Sequence, residues 1–150
     1  MKTTEYTTRQ VLDAIALASV GGINLDTVRL HDWHKRGILG PDPVGKGNDR
    51  TYDYTEVCFI ASLALFADRT RNLLMARQVA QVHASLMAEK PRGYLVLIGG
   101  AESEFIALTP EMKVSRVAAA YGQRGAVFVN PGQLAIQLRA DLDSYSEAEE

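Results

Sequence analysis

Arg50 and Tyr52 flank Thr51 in the run GNDRTYDYTEV, which leaves a stretch of glycines and prolines and enters an apolar segment. A guanidinium can address phosphate oxygens through a fork of donors, and a phenol can pack its ring inward while offering its hydroxyl to a phosphate. Lys46 adds a second cation and Asn48 a polar side chain in the preceding loop. Glycines there allow tight backbone turns close to a ligand. Just upstream, Thr27, Arg29, His31, His34, Lys35 and Arg36 crowd one short segment. On a helical wheel, Thr27, His31, His34 and Lys35 share a face, Arg29 and Arg36 flank it, and Leu25, Val28 and Trp33 point toward the core. Hydroxyl, imidazole and cationic groups on one helical face suit base edges and phosphates.

Other chemistry is poorly supported. His31 and His34 have a spacing that could ligate a metal, with Cys58 and His83 as remote partners, but structural zinc needs paired ligand spacings. No metal and no cofactor is expected. His83 reads as a packed or interface histidine. The chain lacks a Gly-rich phosphate loop, a nucleophile elbow and a metalloprotease helix motif, so no enzyme is expected. Glu102 and Glu104, two apart on a strand, read as solvent-facing.

A chain of 150 residues with 47% apolar content suits one domain, or a small domain with an accessory unit. No apolar run approaches the roughly 18 residues of a membrane span. The start, MKTTEYTTRQ, has no signal-peptide core, and the single Cys58 reads as a small buried residue. A cytoplasmic protein without membrane contact is expected. Net charge is −2, which alone argues against a nucleic-acid partner. The acidity is largely C-terminal: residues 93–150 carry eight acids, several in the tail SYSEAEE. The local field matters more than the sum.

Periodicity then supplies the elements. A first helix starts at Thr7 or Thr8 and ends at Gly21-Gly22. Asn24 caps a second, LDTVRLHDWHKR, which Gly37 stops. GPDPVGKGND is loop, RTYDY an alternating strand, and Thr55 caps a third helix running to about Ala67. A fourth spans about Arg71 to Glu89, with Met75, Val79, Val82 and Leu86 in the spacing of a helix-pairing seam. YLVLI and EFIAL form a hairpin through GGAES, and AVFV is another strand. Asn130-Pro131 opens a last helix that packs through Leu134, Ile136, Leu138 and Leu142.

Helix, tight turn, helix, then a Gly/Pro loop with a strand is the order of a winged helix-turn-helix, whose second helix can lie in a major groove. The residues that carry it resemble the MerR superfamily, including its excisionase-like relatives. Arg50-Thr51-Tyr52 followed by Glu56-Val57 resembles that family's Arg-x-Tyr wing pattern. Gly22-Ile23-Asn24 with Thr27-Val28-Arg29 resembles its turn and helix start. Trp33, Gly37, Ile38 and Leu39 resemble its helix exit. The segment from Thr27 to Gly37 is about two residues longer than in the commonest members, and Leu30-His31 stands where an aromatic pair is usual.

The fold expectation is α+β. Residues 1–68 form a winged helix-turn-helix, 69–92 a connecting helix, and 93–150 a small strand-and-helix unit with an acidic tail. The resemblance implies a homodimeric bacterial or phage-type transcription regulator of double-stranded DNA. The Met75/Val79/Val82/Leu86 seam pairs the copies, unless it packs within its own chain. An excisionase-like architectural DNA binder and a protein-interaction adaptor are the alternatives.

Overall fold

The computed structural model describes residues 4–19, 22–39, 50–70, 72–88, 95–98, 104–107, 115–116, 119 and 126–148. The fold is α+β. Thr7 starts the first helix, α1 (Thr8–Ala18), through a reciprocal cap: Gln10 N–H donates to Thr7 Oγ1 at 3.2 Å, and Thr7 N–H donates to Gln10 Oε1 at 3.0 Å. Such caps are worth about 1 kcal/mol each. Just before it, β1 (Tyr6–Thr7) pairs antiparallel with β2 (Thr51–Tyr52), in the register Tyr6 to Tyr52 and Thr7 to Thr51.

The second helix, α2 (Thr27–Lys35), is capped by Asp26 and not by Asn24. Asp26 Oδ1 accepts from Arg29 N–H at 2.8 Å, the three-residue reach a cap requires. The carbonyl of Asn24 takes the Arg29 guanidinium instead, at 2.7 Å. Gly37 ends the helix with φ +71°, a left-handed conformation that favours glycine. Helix α3 (Tyr54–Ala67) is capped by Asp53, in reciprocal hydrogen bonds with Glu56, so Thr55 lies inside the helix. The D-x-x-E pattern outcompetes the lone threonine because it satisfies two backbone N–H groups, one from each side.

α3 buries Val57, Cys58, Ile60, Ala61, Ser62, Leu63, Ala64 and Phe66, residues spread around its circumference. A helix apolar on all sides belongs in the middle of a core, and α4 (Leu73–Ala88) packs along it. Strands β3 (Leu95–Ile98), β4 (Glu104–Ala107) and β5 (Ala126–Val129) form an antiparallel sheet in the order β4-β3-β5. The expected hairpin is present, with Ile98 opposite Glu104. Adjacent Leu95 and Val96 are both buried, so the central strand is covered on both faces.

The last helix, α5 (Pro131–Ala148), begins with Pro131 at its first position, and Gln133 N–H donates to Asn130 Oδ1 at 3.1 Å. It packs on α1 and α4 through Ala135, Leu138 and Leu142. Ile136, expected to pack, is 65% exposed because it lies across the helix from that stripe. Leu95 of β3 and Ala135, Leu138 and Leu142 of α5 join one apolar cluster with Val11, Ile15 and Phe66. The apolar stripe of α5 is thus covered by α1 and α4 of the same chain.

Candidate functional site

The phase of α2 decides what it presents. At about 100° per residue, Leu30 and Trp33 set the core-facing arc, and both are buried. His34 lies about 40° from Leu30, inside that arc. It is 7% exposed, whereas Val28, nearly opposite, is 78% exposed. Two expectations are thereby corrected: His34 faces inward and Val28 outward. The apolar pair Leu30/Trp33 rotates the helix by roughly half a face from the phase that the polar residues suggested. The outer face carries Thr27, Val28, His31, Asp32, Lys35 and Arg36.

The inward imidazole has a defined partner. His34 Nε2 lies 2.8 Å from Tyr52 Oη, and the rings stack with centroids 5.7 Å apart. Tyr52 is buried, and burial pushes its phenol above the ordinary value. Its hydroxyl was expected to meet a phosphate. It is turned inward because the β1–β2 pairing sets the strand's face, and it ties β2 to α2.

The cations of α2 divide in the same way. The Arg29 guanidinium forks onto Asp68, at 2.9 Å and 3.4 Å, and lies over the Trp33 ring at 5.0 Å. Asp68 caps the C-terminus of α3, so Arg29 ties α2 to α3. Arg36 pairs with Asp32 one turn earlier, at 3.4 Å. Arg50 sits half-buried at the entry to β2. It lines a shallow depression of about 80 Å³ with Thr8, Thr27 and His31, floored by Leu30, His34 and Tyr52. The start of α1, the outer face of α2 and the start of β2 therefore meet at one place. Lys46 and Asn48 lie outside the described residues.

The expected pairing seam on α4 is largely used within the chain. Val79 is fully buried, and Met75 and Val82 pack partly buried against the same cluster. Leu86 is half-buried. The buried face runs through Ala76, Val79, Ala80, His83, Ala84 and Met87, because small alanines let α4 approach α3 closely.

Three features were not read from the sequence, the first being the partners of His83, whose packing was expected. His83 is fully buried, with Nδ1 2.6 Å from Ser62 Oγ and its ring edge-on to Phe66. Ser62 Oγ also lies 3.6 Å from Met87 Sδ, and His83 Nε2 has no partner. Burial lowers the imidazole to a pKa of about 4. The second feature is the environment of Tyr54, whose Oη donates to the Ala135 carbonyl at 3.4 Å while Arg139 lies over its ring at 4.4 Å. Neighbouring Cys58 is buried, as expected, and burial raises its thiol to about 11. The third is a groove beside α3 and α4 that contains Arg77. The i, i+4, i+8 spacing of Arg77, Gln81 and Ser85 was the available signal for it.

Among the described residues, no three His, Cys, Asp or Glu side chains converge as a metal-ligand set. No helix among them is long and apolar enough to cross a membrane. No protein-family model and no curated protein matches the chain.

Proposed function

We propose that this chain is a double-stranded DNA-binding transcription regulator of the winged helix-turn-helix kind, acting as a homodimer. The observation that carries the reading is the shared depression lined by Thr8, Thr27, His31 and Arg50. One half-buried cation, the start of a helix and an outward helical face converge there. A phosphate fits such a meeting point, with the exposed face of α2 toward the bases. Val28 joins Thr27, His31 and Lys35 as an outward contact, suited to a thymine methyl. His34 and Tyr52 hold α2 and β2 in register beneath it, and Arg29 braces α2. The resemblance of Arg50-Thr51-Tyr52 and of the α2 flanks to the MerR superfamily supports the same reading.

The test is selection of genomic DNA fragments by the purified chain, repeated with Arg50→Ala at several salt concentrations. Enrichment of a symmetric site is expected, with affinity falling steeply in salt. Arg50→Ala should weaken binding to all sequences alike and reduce the salt slope by about 1. An unselective pool at low salt, or an unchanged slope in the variant, would sink the proposal.

A second reading has its own support. Arg29 and Arg36 are both ion-paired within the chain, and net charge is −2. These favour a protein-interaction adaptor that keeps the winged fold without DNA. Its signature is weak, salt-insensitive DNA affinity.

A further inference from the structure

Several arginines with described side chains are held by charged partners. Arg9, Arg29, Arg36 and Arg139 each pair with an aspartate. Arg77 forms no ion pair among the described residues, and its Nε is buried without a hydrogen-bond partner. An always-charged group in a partly desolvated place is costly, and an anion held against the guanidinium offsets that cost. Arg77 lines a groove of about 440 Å³ whose other walls include Phe59, Leu39, Gln81 and Ser85. Leu39, Thr55 and Phe59 also line a neighbouring cavity of about 230 Å³, so the two spaces share a wall at the Phe59 ring.

We propose that this groove binds a small organic anion, a monocarboxylate with an apolar body. The carboxylate pairs with Arg77, and Gln81 and Ser85 offer it further hydrogen bonds. The body lies over Phe59 and Leu39. Polarity fixes the orientation. The neighbouring cavity holds Glu56, which repels a carboxylate, so the charged head belongs at Arg77. Concave, largely apolar walls with a few convergent polar groups are the usual make-up of a small-molecule site.

The groove also touches the candidate DNA face. His34 and Tyr52 line the 230 Å³ cavity on one side and the Arg50 depression on the other. Their 2.8 Å hydrogen bond is a shared wall. A ligand body that reaches this wall bears on the pair that holds α2 against β2. This coupling, unlike the site itself, rests on the DNA-binding reading.

The experiment titrates the full chain, ¹⁵N-labelled, with sodium monocarboxylates from acetate to octanoate, with benzoate and 3-phenylpropanoate, and with the corresponding amides. Saturable shifts at the amides of Arg77, Phe59 and Leu39 are expected for the longer-bodied carboxylates and not for the amides. Arg77→Gln should weaken binding about tenfold or more, and Arg77→Lys should retain part of it. A spectrum otherwise unchanged shows that each variant is folded. No shift at these residues with any carboxylate, equal binding of amides, or undiminished binding by Arg77→Gln overturns the site. A second arm measures DNA affinity with the tightest carboxylate at saturation, and a change of about 5–150-fold is the expected coupling. Unchanged DNA affinity removes the coupling and leaves the site standing. A chain that binds no DNA fails the functional reading, while the titration still decides the site.

Discussion

The two faces of the molecule treat their polar residues differently. Around α2, polar side chains are shared between solvent and structure: His31 and Lys35 are exposed, and Arg29 and His34 are tied to Asp68 and Tyr52. Around α3 and α4, Ser62 and His83 are sealed together in an apolar core. Both regions contain a buried histidine with one close oxygen partner. His34 sits beneath a surface depression, however, whereas His83 leaves one ring nitrogen unpartnered in the interior. The first arrangement orients a surface. The second makes the helix pair sensitive to charge.

The largest effect should come from the sealed side. Phe66→Ala removes a fully buried ring that also meets His83, and a loss of about 3–5 kcal/mol in urea unfolding is expected. A loss under 1 kcal/mol would mean that this core is looser than its burial implies.

Next comes acid sensitivity. The folded pKa of His83, about 4, lies below its ordinary 6.5. The unfolded chain therefore takes up the proton first as pH falls. The contribution is fully present above about pH 6.5 and declines toward pH 4. Its size is on the order of 3 kcal/mol. Between about pH 6.5 and 4 the wild-type chain should lose stability more steeply than His83→Gln, and the two slopes should agree above that range. Parallel slopes throughout would show that carboxylates alone govern the acid limb.

Tyr52→Phe tests the other histidine. It removes the hydroxyl beside His34 Nε2 and should cost about 1–3 kcal/mol, read from thermal melts. On the proposed DNA-binding reading, it should also weaken DNA binding without changing the salt slope, since no phosphate contact is lost. The smallest effect belongs to Val28→Ser. At 78% exposure, this change should fall within about 0.5 kcal/mol of wild type. A larger loss would restore the helix phase in which Val28 faces the core.

Much of the scaffold was legible in the sequence because local signals agreed. Gly37 ended α2, Pro131 opened α5, and short apolar runs marked β3 and β4. Caps were less legible where two candidates stood close together, as with Asn24 and Asp26, because only the three-residue reach to a free N–H separates them. The α2 face was misread because polar residue types were weighted above the Leu30/Trp33 pair, and a half-face rotation exchanges His34 for Val28. The use of the α4 seam was not legible, since the same spacing serves a second copy or the chain's own α3 and α5 equally well. The meeting of Arg50 with Thr8 depends on a strand pairing across the chain, which no local pattern carries. The Arg77 groove needs the third dimension for the same reason.

The packing of α5 on α1 has a consequence for synthesis. Val11 and Ile15 belong to a cluster completed by Leu138 and Leu142. During translation, the apolar side of α1 therefore stays without its final cover until Leu138 and Leu142 have been made. Contacts so distant along the chain slow folding and lengthen the exposure of sticky surface. Helix α2 can form early, but the cluster that its Leu30 and Trp33 join waits for α5.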